Sequence, residues 1–179
     1  YKNVILEHLL DLKEDGSFEM NLEYFNYCQG LTMTNHRFAK LFDGAARKAE
    51  DKITDREINL AASIQAVTEE IVIRMATFAR EETGKKNLCL SGGVALNCVA
   101  NGKLQLKKIF DNIWIQPASG DAGGALGCAY IAWFQYLDNK RTADGKTDFM
   151  NGAYLGPEFS NDEIKIFRRS IKRKWKNDK

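Results

Sequence analysis

Apolar residues recur at intervals of three and four through Ile58, Ala61, Ala62, Ile64, Val67, Ile71, Met75 and Phe78. This is the spacing of one helical face. Thr54 and Glu57 stand ahead of the run at capping-box separation and Gly84 closes it, so the pattern predicts one long helix over residues 53–83. A short apolar run, residues 87–91, then ends in Gly92 and Gly93, and a second helical stretch is expected over 94–108, with Gly102 as a weak point. Residues 112–116 (Asn-Ile-Trp-Ile-Gln) form another buried-looking strand. Pro117 to Asp121 breaks it, and an Ala/Gly-rich helix is expected to run to about Leu137.

Two successive strand, loop, helix units imply neighbouring parallel strands, with both loops at the carboxyl edge of one sheet, where α/β folds bind ligands. Upstream, residues 4–12 and 17–22 flank Asp15-Gly16 and suit a hairpin, although residues 4–12 suit a short helix equally well. The polar stretch 138–146 reads as an exposed loop. Ser160 and Glu163 repeat the capping-box spacing ahead of a basic helix.

With 179 residues, 44% of them hydrophobic, the chain favours one compact domain over a multidomain enzyme. The formal charge of +2 argues against a general nucleic-acid binder. The charge is also uneven: after Ser160, eight basic residues (Lys165, Arg168, Arg169, Lys172, Arg173, Lys174, Lys176 and Lys179) face three acids. A charge run of this kind is ordinarily a solvated face. No run approaches the roughly 18 apolar residues of a membrane span and no signal-like segment opens the chain. A cytoplasmic protein without a membrane partner is therefore expected. Cys28, Cys89, Cys98 and Cys128 show no C-x-x-C spacing. Three of them lie in apolar or small-residue runs, where a thiol acts as a small hydrophobe, and a reducing compartment suits them. The chain opens at Tyr1 rather than Met, in mid-pattern, and is expected to be a piece of something longer, although a processed N-terminus would look the same.

Two loops could carry chemistry. In Ser91-Gly92-Gly93-Val94-Ala95-Leu96-Asn97, glycines stand where a strand turns into a helix, so the backbone can approach a ligand and its N–H groups favour an anion. The alternative is a tight turn whose glycines serve packing alone. In Ser119-Gly120-Asp121-Ala122-Gly123-Gly124, one carboxylate sits at a strand mouth among residues too small to cover it. It could ligate a cation, orient a nucleophile, or simply cap the following helix. His8 and His36, 28 positions apart, offer no paired metal-ligand spacing.

Residues 55–70 (Asp-Arg-Glu-Ile-Asn-Leu-Ala-Ala-Ser-Ile-Gln-Ala-Val-Thr-Glu-Glu), 90–102 (Leu-Ser-Gly-Gly-Val-Ala-Leu-Asn-Cys-Val-Ala-Asn-Gly) and 113–127 (Ile-Trp-Ile-Gln-Pro-Ala-Ser-Gly-Asp-Ala-Gly-Gly-Ala-Leu-Gly) together resemble the NodU/CmcH family of O-carbamoyltransferases. The similarity continues through Tyr154-Leu155-Gly156-Pro157 and covers roughly residues 24–165. The resemblance implies an α/β fold, the second lobe of an actin-like (ASKHA, ribonuclease H-like) nucleotide-binding domain over 1–152, with 153–179 starting a linker toward a YrdC-like domain. In such enzymes ATP and carbamoyl phosphate give a carbamoyl-adenylate, whose carbamoyl group passes to a small-molecule hydroxyl with help from a divalent metal, iron by the same resemblance. By motif matching, Ser91, Gly92, Gly93, Asn97, Gly120 and Gly123 would contact the nucleotide and Asp121 would be one metal ligand. The resemblance assigns no catalytic residue. The family's histidine pair and first-lobe phosphate loop lie upstream of these motifs, so residues 1–179 alone are expected to be inactive. A relative acting in tRNA threonylcarbamoylation or hydrogenase maturation, or a non-catalytic nucleotide-binding lobe, is the alternative.

Overall fold

The computed structural model describes residues 1–142, 144–148, 150–154 and 156–177, with side chains through Ile171 in the last helix. Ala143 of the expected loop, Leu155 of the family match and the basic side chains beyond Ile171 lie outside the described residues. The chain divides into two units, residues 1–129 and 130–179.

In the first unit, helix α1 (Lys2–Val4) runs into a π-helical turn (Ile5–Leu9) and then strand β1 (Leu10–Leu12). β1 pairs antiparallel with β2 (Phe18–Met20), matching Leu10 to Met20 and Leu12 to Phe18. Both readings of residues 4–12 are therefore realised in succession. The turn is set by Asp15, whose carboxylate accepts the Ser17 N–H at 2.9 Å and its hydroxyl at 2.7 Å. Gly16 follows at φ +87°, where a Cβ would lie 2.5 Å from the Met75 backbone. A short helix α2 (His36–Leu41), capped by Asn35, supplies Phe38 against Phe42, with ring centroids 4.7 Å apart.

Helix α3 (Asp55–Thr83) is the long expected helix, two residues shorter at its start. The capping box is complete: the Thr54 N–H and hydroxyl both donate to the Glu57 carboxylate, and Gly84 ends the helix in the left-handed region at φ 62°. The Thr54 hydroxyl, then Arg56, hold the Glu57 carboxyl down to about 2 from its ordinary 4.5.

Helix α3 packs on two sides rather than one. Val67, flanked by Leu60 and Ile71, joins Ile5, Leu9 and Phe42 in one hydrophobic cluster. Ala76, flanked by Val72, joins Leu104 and Phe110 in another, against Leu88, Leu90 and Ile113. This corrects the single-face expectation. Ile58, Ile64, Met75 and Phe78 are exposed. At about 100° per residue, Ile64 and Met75 fall on the strip between the two packed faces.

Strand β3 (Asn87–Leu90) pairs parallel with β4 (Asn112–Ile115), matching Leu90 to Ile115. Leu88, Leu90 and Ile113 pack inward, whereas Cys89 and its partner Trp114 are exposed, so these strands are half-buried and not buried throughout. All four cysteines are exposed as well, against the expectation that three serve as small hydrophobes. Cys89 falls on the outward side of the pleat and Cys128 on a helix without buried residues.

The expected helix 94–108 is two elements: a 3₁₀ turn (Gly93–Leu96) and helix α4 (Cys98–Leu106). They part at Asn97, which is extended (ψ 92°) and accepts the Ala100 N–H at 3.1 Å as N-cap. A residue with Asn's capping power starts a helix instead of continuing one. Gly102 lies inside α4 without breaking it. Helix α5 (Asp121–Ile131) begins after β4 and continues as a π-helical turn (Ala132–Tyr136) that reaches the expected end.

The second unit holds the end of α5, that π turn, a 3₁₀ turn (Asn151–Ala153) and helix α6 (Asn161–Asn177). The expected capping box opens α6, with Ser160 and Glu163 bonding each other reciprocally. No helix among the described residues is long and apolar enough to cross a membrane.

The depressed Glu57 pKa fixes the sign of a pH effect. Its contribution is complete above the ordinary value of 4.5 and is lost as pH falls toward about 2. The difference in melting temperature between wild type and Glu57→Gln should therefore shrink over that window. A difference that stays constant down to pH 2 would show that the ionised capping box contributes nothing.

Candidate functional site

The two loops named by the sequence leave the carboxyl end of one parallel strand pair. Leu90 and Ile115 are register partners, and the Gln116 N–H donates to Leu90 O at 3.2 Å, so the pairing runs to the start of both loops. In the first loop Ser91, Gly92, Gly93 and Val94 are exposed and Ala95 is buried. Gly92 adopts φ 98°, ψ 159°, a region essentially restricted to glycine. A Cβ at Gly92 or Gly93 would meet nothing within 4 Å. The turn is thus forced by one glycine and left open above both.

In the second loop the Gln116 side chain accepts the Ala118 N–H at 3.2 Å, and the Gly123 N–H donates to Gly120 O at 2.9 Å to begin α5. Gly120 has open space where a Cβ would stand. Gly123 does not: a Cβ there would lie 2.0 Å from Ala118 O, so this glycine has a packing reason of its own. Asp121 is the exposed first residue of α5. Ser119 is buried and its hydroxyl has no partner among the described residues.

Asn97 is placed differently from the six other residues. Its Oδ1 accepts from Ala100 N–H and from Gln65 Nε2 at 3.1 Å, and its Nδ2 donates to Gln65 Oε1 at 2.8 Å. The carboxamide is spent on α3 and α4 rather than held out toward a ligand. Gln65 also donates to Glu69 at 3.0 Å, and Lys103 of α4 donates to the other Glu69 oxygen. Glu69 is only 6% exposed, and the Lys103 ammonium, then Gln65, hold its carboxyl below the usual range. Sequence reasoning missed Gln65, Glu69 and Lys103. A signal was present: Gln65, Glu69, Val72 and Ala76 recur at four, three and four, placing two polar residues in line with a core stripe.

As a cation site, the second loop offers one carboxylate. Asp121 suits a hard or intermediate ion as a single exposed carboxylate at a strand mouth. No group of three or more His, Cys, Asp or Glu among the described residues could hold a metal. A surface groove of about 630 Å³, lined by Leu6, His8, Asp11 and Glu19 among others, belongs to the N-terminal hairpin and not to these loops.

A parallel strand pair that sends two glycine-bearing loops into helices from one edge makes this a mixed α/β chain, and that edge is where α/β folds bind ligands. The family is shown by comparison: the family model described as Carbamoyltransferase N-terminus matches residues 1–130, and the chain is a member of that carbamoyltransferase family. It is 56% identical over 167 residues to the uncharacterized protein sll1178 of Synechocystis, covering 93% of this chain and 27% of that protein. Nodulation protein NolO of Bradyrhizobium diazoefficiens is 36% identical over 110 residues (62% and 19%), and nodulation protein U of Rhizobium tropici 27% over 165 residues (89% and 26%). The chain therefore spans about a quarter or less of the length of the curated relatives it matches.

The glycines separate into two kinds that substitution distinguishes. Gly123→Ala drives a methyl into the Ala118 carbonyl and should lower unfolding stability by about 1–3 kcal/mol. Gly93→Ala enters open space and should change stability by no more than about 0.5 kcal/mol. Denaturant unfolding measures both. Equal losses would mean that the space above Gly93 is not free.

Proposed function

We propose that this chain is the second lobe of an actin-like domain in an ATP-dependent O-carbamoyltransferase, with residues 1–152 as the lobe and 153–179 leading toward a YrdC-like domain. The observation that carries the reading is the pair of loops at one sheet edge, each with backbone open to a ligand, in a member of the carbamoyltransferase family. Carbamoyl phosphate and ATP supply a carbamoyl-adenylate, and the acceptor is a small-molecule hydroxyl.

In the transfer step the acceptor oxygen attacks the carbamoyl carbon. A new C–O bond forms, the bond from that carbon to the phosphate oxygen breaks, AMP leaves, and the acceptor proton passes to a base. The Ser91–Gly93 turn and Gly120 border the nucleotide, their backbone N–H groups stabilising charge that grows on the leaving phosphate. Asn97 holds the turn in place, and Gly123 lets the second loop close onto α5. Asp121 would hold the divalent metal, iron by family resemblance, as one ligand of a set completed outside this chain. When bound, such an ion polarises the carbonyl.

Asp121→Asn in the full-length protein tests the reading. Asp121 is the first residue of α5 and not its N-cap, so the lost charge costs only the first-turn dipole interaction, about 0.3–1 kcal/mol, and the melting temperature should fall little. The lost charge should lower metal content and transfer by about tenfold or more. Full metal occupancy with unchanged transfer would reduce Asp121 to a helix-start residue. Residues 1–179 alone should show no turnover of ATP, carbamoyl phosphate and a hydroxyl acceptor, and robust turnover by them would refute the proposed division of labour.

A further inference from the structure

The polar chain that runs from Asn97 into α3 is more than packing. Gln65 and Asn97 form a reciprocal amide pair, each donating to the other's carbonyl oxygen, at 3.1 and 2.8 Å. Such a pair is degenerate by itself, because flipping both amides preserves both bonds. Two groups remove the degeneracy, one at each end: the Ala100 N–H, which needs the Asn97 oxygen, and Glu69. Its carboxylate is buried, held ionised by Lys103, and accepts hydrogen bonds only, so Gln65 must turn its amide nitrogen toward it at 3.0 Å. Gln65 then presents Oε1 to Asn97. Asn97 must answer with Nδ2, which leaves its Oδ1 for the Ala100 N–H. The flipped arrangement would set Gln65 Oε1 against the carboxylate and Asn97 Nδ2 against the N–H it now caps.

We propose that Gln65 and Glu69 are positioning residues for ligand capture at the glycine turn: Glu69, acting with the Ala100 N–H at the other end, fixes the direction of the Gln65–Asn97 amide pair, and through it the joint on which the turn is hung. The joint is where the 3₁₀ turn and α4 part, and a second bond, from Asn101 Nδ2 to Ala95 O at 2.7 Å, ties the inner end of the turn. The outer end, Ser91 to Val94, is exposed and has Gly92 in its glycine-only conformation. Asn97 is also bonded to this exposed end, its N–H donating to Val94 O at 2.9 Å, so the orientation of the turn's backbone depends on Asn97. This inference rests on the proposed reading that the turn borders the nucleotide.

The test uses the full-length protein with AMP, the leaving group of the proposed step, titrated calorimetrically. Gly93→Val first identifies the relevant binding event, because it fills the open space above the turn without a positive φ. Gln65→Leu keeps the side chain's bulk and removes the relay. It should weaken that event about tenfold, the loss of roughly one hydrogen bond's worth of binding. In transfer, KM for carbamoyl-adenylate should rise while kcat holds. Glu69→Gln is the second variant, for the case that Gln65→Leu fails to fold. It offers Gln65 a donor as well as an acceptor, so only the Ala100 N–H still orients the amide pair, and it should weaken AMP binding with the melting temperature nearly kept.

If Gly93→Val weakens AMP binding and Glu69→Gln or a folded Gln65→Leu leaves it unchanged, the positioning role is overturned and the turn keeps its nucleotide. If Gly93→Val itself has no effect, the nucleotide reading of the turn falls, and the proposal with it.

Discussion

Both hydrophobic clusters of the first unit are built against one helix, and everything near the site depends on that. Val67 and Ala76 lie nine positions apart on α3, yet each is buried in a different cluster. Val67 and Leu104 are fully buried, and burying a side chain of that size contributes about 1.5–3 kcal/mol. The capping box at Thr54 and the left-handed glycine at Gly84 fix where the helix begins and ends. Its register therefore decides which side chains meet the N-terminal segment and which meet α4 and the parallel strands.

The polar residues on α3 follow from the same geometry. Gln65 and Glu69 share the face of Val72 and Ala76, one to three turns earlier, where α4 begins rather than where it packs by apolar contact. A buried carboxylate is costly unless paired, and its Lys103 partner arrives from α4. The long helix thus contributes apolar contacts at one level and directional ones at the next. The directional ones hold Asn97, and Asn97 separates the glycine turn from α4.

The parallel pair shows how a sheet edge becomes a candidate site. Leu88, Leu90 and Ile113 face the cluster beneath, and both chains turn at the same end into loops whose glycines either leave space or require contact. Parallel strands are commonly covered on both faces. Here the pleat sends Cys89 and Trp114 to an uncovered side among the described residues. Residues 112–116 read as a buried-looking strand, and the order of residues carries no information about which face of the pleat has a partner.

Local signals were determined by the sequence alone. Thr54 with Glu57, Ser160 with Glu163, Gly84 and Asp15-Gly16 act over three or four residues, through hydrogen bonds and backbone preferences that need no distant partner. The strand, loop, helix repeat determined the parallel pairing in the same way, since a helical crossover leaves neighbouring strands parallel. Tertiary structure decided the rest. It turned Ile64 and Met75 outward on α3, between two packed faces, whereas the break at Asn97 in the helix expected over 94–108 is a local cap that the sequence reading passed over. It also drew Gln65 and Asn97, 32 positions apart, into one hydrogen-bonded pair. Periodicity shows that a helix has an apolar face; it does not show how many partners surround the helix. A carboxamide's chemistry permits capping, pairing and ligand contact alike, and only the donors and acceptors that folding brings within reach choose among them.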